Sequence, residues 1–263
     1  MPNFVFHMNK YDPCLSEDEL VQRLMSVPTN LYKYRAWNNF TEDILVNHRM
    51  YFSAPEDFND MCDCLPYLPH DKIIRIPYAL LGKNGDKLEL QQRIVEVSIS
   101  EFLKEFCASV RICCLSKSYQ SILMWSHYAE NHKGMCLVFD KDKDPYFFRN
   151  AGPVLYSNVH YGMHFHNLHY ANALTVKFED WQYEEEVRLL TTQDDIVEQG
   201  FENRLIPFDP KSLVEIIFGA KASQKMMNEV RTLCKTNGLA HVKFSQMYLC
   251  ETPEYKMDKK EIL

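Results

Sequence analysis

The stretch Lys177-Phe-Glu-Asp-Trp-Gln-Tyr-Glu-Glu-Glu-Val-Arg-Leu-Leu190 constrains the fold more than any other part of the chain. Read as a strand entered from a loop, its period of two places Tyr183, Glu185, Val187 and Leu189 on one side, and Glu184, Glu186, Arg188 and Leu190 on the other. One side can be core while the other gathers two carboxylates and a guanidinium. Neighbouring carboxylates on one face repel, so the pattern costs stability unless Arg188, a ligand or a metal offsets it, and their proton affinities are driven apart. The competing reading is a solvated edge strand with ordinary surface ion pairs, which are worth little. Trp181 and Lys177 just upstream weigh against it, because a plain surface strand has no need of an indole at its start.

The chain of 263 residues, 46% hydrophobic and 25% charged, can bury a full-sized core and reads as one domain, 1–263, with insertions. Its formal net charge of -7 supplies no global field toward a nucleic-acid backbone or an acidic membrane, although a local basic pocket is compatible with it. No glycine-rich phosphate loop is present. The N-terminus lacks the basic and apolar segments of a signal peptide, and no run approaches membrane-spanning length, so a cytoplasmic protein is expected. The nine cysteines fall largely in apolar strand patterns such as Arg111–Leu115 and Met135–Phe139, and read as small buried hydrophobes of a reducing compartment.

In chain order, Ser16-Glu-Asp-Glu19 has capping-box spacing and opens an amphipathic helix through Met25. Leu31–Arg35 alternates as a strand, Thr41–Val46 reads as a capped helix and Arg49–Ser53 as a second strand. Ser53-Ala-Pro-Glu-Asp-Phe-Asn-Asp60 then reads either as a polar ligand loop or as a rigid turn in which Asn59 and Asp60 cap backbone donors. Residues 62–86 look like an excursion or lid. Lys87–Phe106 is the longest helical pattern. Strands are expected at Val110–Leu115, Gly134–Phe139, Val154–Tyr156, Leu213–Phe218 and Ala240–Phe244, with helical turns at Ser121–Ala129 and a helix capped by Ser223. The polar tail, 251–263, is expected to fray. The whole predicts an α+β fold of short mixed and antiparallel strands with interspersed helices.

Three further groups of residues bear on chemistry. His127, with Trp125 and Tyr128 beside it, suits a general base or a hydrogen-bond partner next to aromatic faces that can stack on a flat ring, though a histidine among aromatics is often a satisfied structural residue. The histidines at 160, 164, 166 and 169 cannot be aimed at one point by any single secondary structure. Neither Cys62-Asp-Cys64 nor Cys113-Cys114 supplies a paired metal-binding spacing, and no metal is expected. The strand cysteines read as inert.

Taken together, Tyr32-Lys-Tyr-Arg35, Tyr51-Phe-Ser-Ala-Pro-x-x-Phe-Asn-Asp60, Trp125-Ser-His-Tyr-Ala129 with Gly134 and Phe139, and Lys177-x-x-x-Trp181-x-Tyr-Glu-x-Glu-x-Arg188 resemble the bacterial family catalogued as domain of unknown function 2971, over about residues 31–219. One departure is visible. After Asn59-Asp60 the family usually continues with Pro and an aromatic before an acidic residue, where this chain has Met61 and Cys62 before Asp63. The order of an early-strand Arg, an aromatic-Ser pair and a later Glu-x-Glu also resembles ADP-ribosyltransferases. That resemblance implies a split sheet, with Arg35 holding the nicotinamide half of NAD and Tyr51 and Ser53 shaping the pocket. It also implies Glu186 as the catalytic carboxylate and Glu184 as the group orienting the acceptor. Trp125, His127 and Tyr128 have no counterpart in that layout and would form an extra pocket wall or an acceptor site.

Three functions are therefore expected in competition. The first is a cytoplasmic NAD-consuming transferase, a toxin or phage-defence effector acting on a protein or nucleic-acid acceptor, with NAD as substrate and Asn59, Asp60, Trp181 and Arg188 lining its site. The second is an acid-base hydrolase or nuclease pairing His127 with Glu184 or Glu186. The third is a module that senses a small ligand or protein partner, with an oligomer compatible with each.

Overall fold

Eight strands form the main sheet of the computed structural model, which describes residues 26–60, 62–64, 73–84, 87–98, 105–158, 174–253 and 255–262. These are β1 (Asn30–Arg35), β5 (Val110–Ser116), β6 (Met135–Asp140), β7 (Ala151–Pro153), β10 (Glu186–Thr192), β12 (Leu213–Phe218), β13 (Lys243–Leu249) and β14 (Met257–Glu261). They run in the order β14-β13-β12-β6-β1-β5-β10-β7 and pair antiparallel except for the parallel β12–β13 pair. The expected α+β class with a mixed sheet is therefore found. The expected helix at Ser16–Met25 and the histidine-rich segment lie outside the described residues.

Why the central strands read as unbroken apolar runs follows from what covers them. One face packs Leu31, Leu115, Leu137, Phe139, Val187 and Leu189 against Ile44 and Leu45 of helix α1 (Asn39–Asn47) and Met226, Met227 and Val230 of helix α4 (Gln224–Thr236). The other packs Tyr34, Cys136, Val138 and Ile217 against Met124 and Trp125 of helix α2 (Ile122–Tyr128), with Met247 and Met257. A strand buried on both faces loses its polar alternation. The helices start where side chains satisfy free backbone N–H groups: Asn38 accepts from Thr41 N, Ser121 from Met124 N and Ser223 from Met226 N. Among the described residues no helix is long and apolar enough to cross a membrane.

Two expectations are overturned. Lys87–Ser98 is not helical: β3 (Ile73–Asn84) and β4 (Lys87–Ser98) form a long antiparallel hairpin, 99–104 lie outside the described residues, and 105–109 are helical. The apolar residues at 90, 94 and 97 fit a helical stripe by coincidence, whereas the run of β-branched residues around Val95 and Val97 favours the pleat. The two residues between the paired Asn84 and Lys87, Gly85-Asp86 in the sequence, were the available hairpin signal. Half of the expected excursion, 62–86, is thus one arm of this hairpin. The polar tail, expected to fray, instead supplies β14, held by β13 backbone pairing, a buried Met257 and the Lys259–Glu215 ion pair.

Smaller sheets complete the frame. β2 (Arg49–Tyr51) pairs with β11 (Leu205–Pro207), away from the main sheet. β8 (Leu155–Tyr156) pairs in parallel with β9 (Val176–Lys177). Helix α3 (Gln193–Glu198) follows β10 through a capping box at Thr192.

The exit from α2 is fixed unusually tightly. Glu130, Asn131 and His132 all take positive φ, 50°, 53° and 70°, a left-handed run that costs non-glycine residues about 1 kcal/mol each. Gly134 ends this turn against β1, where an added Cβ would lie 2.3 Å from the Arg35 carbonyl oxygen. Gly134→Ala is therefore expected to lower stability by about 3 kcal/mol or to prevent folding, because the obstacle is backbone in the central strand and cannot swing aside. Chemical denaturation of the purified variant checks this, and a loss below about 1 kcal/mol would contradict the packing described.

Candidate functional site

A buried ion network forms where β10, β9 and the loop after β2 meet on the α2 side of the sheet. Arg188 is 0% exposed, and its guanidinium is held on several sides at once. Nε and Nη2 donate to the two Glu186 carboxylate oxygens at 2.8 and 3.0 Å, Nη2 also donates to Asp63 at 2.6 Å, and Nη1 donates to the Leu174 carbonyl at 2.7 Å. Lys177 Nζ lies 2.6 Å from Glu184, 3.3 Å from Glu186 and 3.4 Å from Asp63. Three carboxylates thus share two cations, leaving a formal excess of one negative charge.

Local structure explains how each group arrives. Glu186 and Arg188 point the same way because they are two apart on β10, as the alternation requires. Glu184 reaches them by another route. It ends a 3-10 helix, Glu179–Glu184, and Glu185 then takes a left-handed conformation, φ 45°, that turns the chain into β10. The expectation of a continuous strand through Tyr183–Leu190 is thus corrected at its N-terminal end, while the convergence of both carboxylates with Arg188 is observed. The β8–β9 pair places Tyr156 opposite Lys177, and both meet Glu186: the Tyr156 phenol oxygen accepts from the Glu186 backbone N–H at 2.7 Å. The Cys114 side chain, across the strand pair from Arg188, also hydrogen-bonds Glu186.

The proton affinities follow from these contacts. Burial alone would raise the Glu186 carboxyl, but the Arg188 charge and its hydrogen bonds, followed by Lys177 and the Cys114 thiol, bring it down to about 2. Burial lowers the Lys177 ammonium, yet Glu186, Glu184 and Asp63 outweigh it and hold the group above its ordinary range. Burial and then Glu184 push the Tyr128 phenol up, so it stays a protonated donor.

Toward solvent, the network ends in a polar and aromatic rim. Tyr128 OH donates to Glu184 at 2.6 Å and itself hydrogen-bonds Asn59. His127 Nδ1 pairs with Tyr183 OH at 3.0 Å, with the two rings edge to face at 5.7 Å. Trp181 packs beside Tyr183, and Lys177 Nζ sits 4.9 Å from its ring centroid. Asn59 and His127 are exposed, while Tyr128, Trp181 and Tyr183 are half-buried. Among the described residues no group of His, Cys, Asp and Glu has the arrangement of a metal site.

Several expected site residues are not brought here. Tyr32, Ser116 and Glu186 lie side by side across three strands and so share a face, whereas Arg35, an odd number of residues from Tyr32, faces the other side next to Met135. Its Nε reaches Thr41 at 3.4 Å. The expected hollow lined jointly by Arg35 and Glu186 is therefore absent. Tyr51 is exposed on β2, where its phenol accepts from Arg204, and Ser53 makes a backbone bridge to Ile112. Trp125 is core: it is wholly buried, donates to the Tyr119 carbonyl and meets Tyr34 edge to face. Asp60 caps its own turn by accepting from Cys62 N, as the rigid-turn reading expects, and Asn59 hydrogen-bonds Tyr128. Sequence reasoning left Lys177, Asp63 and Tyr156 out of the site. Lys177 stood in a quoted motif and Asp63 was the acidic residue after Asn59-Asp60, but nothing local marked Tyr156.

Glu186 has its carboxyl lowered from 4.5 to about 2, so it stabilises the fold above the unfolded-state value and loses that contribution as pH falls from about 4.5 toward 2. The shift corresponds to about 3 kcal/mol. Glu186→Gln is expected to flatten the acid limb of a stability-against-pH curve and to cost roughly 3–5 kcal/mol at pH 7, because Arg188 loses its bidentate partner. Urea unfolding between pH 3 and 8 checks both.

Comparison with known proteins adds one finding. A family model described as "Protein of unknown function (DUF2971)" matches residues 124–189, from α2 to β10, a narrower span than the expected 31–219. The matched segment contains His127, Tyr128, Tyr156, Lys177, Trp181, Glu184, Glu186 and Arg188, and excludes Asn59 and Asp63. No curated protein and no solved structure matches the chain. The chain is thus similar to that family across most of the residues that build the network.

Proposed function

We propose that the Glu184–Tyr128 edge of this network is the catalytic centre of a transferase that cleaves the glycosidic bond of NAD and passes the ADP-ribosyl group to a macromolecular acceptor. The observation that supports this reading is the excess of one carboxylate fixed behind a half-open rim of Trp181, Tyr183, Tyr128 and His127. A dry site with surplus negative charge, held in place before the reaction, favours a transition state in which positive charge develops on a flat sugar ring. The same surplus disfavours a phosphoester dianion.

In this reading Glu184 faces the developing oxocarbenium ion, and Glu186, clamped by Arg188, keeps the field negative. Trp181 and Tyr183 offer ring faces to the nicotinamide. The C1′–N bond breaks with its electron pair leaving on nicotinamide, which becomes neutral. The acceptor's lone pair forms the new bond to C1′, and its proton passes to His127 or water. Arg35, Tyr51 and Ser53, implied by the family resemblance, have no part, and the rim residues take the ring-binding role.

The second reading, an acid-base hydrolase using His127, draws on the exposed His127–Tyr183 pair next in sequence to Glu184. Nicotinamide release from NAD, measured with protein and nucleic-acid acceptors, separates the two. Glu184→Gln is expected to lower release about 100-fold with the fold retained, and Tyr128→Phe by about 10-fold. Absence of release with every acceptor overturns the transferase. Cleavage of nucleic acid without NAD, abolished in His127→Ala, would put the hydrolase in its place.

A further inference from the structure

The Tyr32-Lys-Tyr-Arg35 stretch turns its two tyrosines to the α2 side of the sheet and leaves its two cations outside the ion network. Lys33 and Arg35 share the opposite face, opposite Leu137 and Met135 of the core, and both are half-buried. Neither pairs with a carboxylate among the described residues. Arg35 Nε makes one long hydrogen bond, 3.4 Å to Thr41, and its two Nη groups have no partner among the described residues, yet neither is sealed from solvent. Burial lowers the proton affinity of Arg35, and the Cys113 thiol is the one group that opposes it. A half-buried charge without a partner carries a desolvation cost that its surroundings do not return, and arginine is seldom held so unless paired.

The backbone opens at the same place. β1 pairs with β6 through six residues and β5 with β10 through seven, but β1 and β5 meet at Tyr32↔Ser116 alone. Beyond that pair Ile112 exchanges backbone hydrogen bonds with Ser53 at 2.9 and 2.8 Å, and the Cys114 carbonyl takes Lys33 Nζ at 2.6 Å in place of a neighbouring strand. Burial pushes the Cys113 thiol up, and Lys33 and then Arg35 pull against it, so both cations stand beside the parted strands.

We infer that Lys33 and Arg35 form an oxyanion subsite where β1 and β5 part, and that it takes the phosphate group of a small ligand. The free edge of the guanidinium offers Nη1 and Nη2 as parallel donors, the geometry that a phosphate accepts on two oxygens. Lys33, with one of its three donors committed to Cys114, adds a second positive charge from a Cα about 7 Å along the strand. No carboxylate of the Glu186 network acts on Arg35, so a phosphate here is not opposed by that network's surplus of negative charge. The subsite goes beyond the transferase reading and does not depend on it.

Calorimetry of the full chain with inorganic phosphate at constant ionic strength tests the subsite. Phosphate is expected to bind saturably, at least about 10-fold more tightly than acetate, and to raise the urea midpoint of unfolding. Arg35→Met and Lys33→Met are each expected to weaken phosphate binding by about 10-fold or more. Arg35→Lys, which keeps the charge but loses the fork, is expected to weaken it by about 3-fold. A second measurement separates a ligand-binding cation from a structural one. Without phosphate, Arg35→Met is expected to unfold at a urea concentration no lower than its parent, because it removes an unpaired charge, and phosphate no longer raises that midpoint. Absence of phosphate binding, undiminished binding by the Met variants, acetate bound as tightly as phosphate, or phosphate-free destabilisation of Arg35→Met overturns the subsite. None of these readings uses NAD, so they stand or fall apart from the transferase assay.

Discussion

The bidentate pair between Arg188 and Glu186, two residues apart on β10 and closed off from water, is the constraint on which the rest of the site depends. An ion pair in such a place yields little net stability, because desolvating both charges offsets most of their attraction. What it imposes is a demand: every remaining donor of the guanidinium and every remaining lone pair of the carboxylates needs a partner. The Leu174 carbonyl, Asp63, Lys177 and Cys114 meet that demand from three separate parts of the chain, and Tyr156 accepts the Glu186 backbone N–H.

That requirement accounts for local features which otherwise look arbitrary. The two-residue parallel pair β8–β9 is too short to stabilise itself, yet it sets Tyr156 beside Lys177, and both hydrogen-bond Glu186. The left-handed Glu185 breaks the strand one residue before β10 and so lets Glu184 meet Lys177 from outside the sheet plane. The strained turn after α2, closed by Gly134 against the Arg35 carbonyl, fixes the helix end that carries Tyr128 and His127. A gradient results, from fully paired charges at Arg188 to an aromatic rim at the surface.

Legibility of the fold varied with how local its causes were. β5, β6 and β12 were readable because apolar residues on consecutive positions fit a strand covered on both faces, and β1 and β10 because their residues alternate. Lys87–Ser98 was misread because its apolar spacing satisfies both periods; its β-branched residues and its pairing with Ile73–Asn84 select the strand. The last strand, β14, is rich in charge, and its order comes from the β13 edge and the Lys259–Glu215 contact, neither visible from its own residues. In the site, Glu186 and Arg188 were legible from their spacing and His127 and Tyr128 from their company of aromatics, whereas Glu184 joins them through the left-handed Glu185 and not through strand alternation.

By itself the sequence determined that Glu186 and Arg188 must share a face and that α2 would bring a histidine and a phenol together, since both follow from repeat distances within a single element. Only the tertiary structure decided that Arg35 lies behind the sheet, that Asp63 fills the space between Arg188 and Lys177, and that Trp125 serves the core. Those outcomes depend on which strand pairs with which and in what register, and a one-residue shift in pairing exchanges one face for the other. Pairings between strands distant in the chain, such as Tyr32 with Ser116 and Glu186 with Ser116, settle that register.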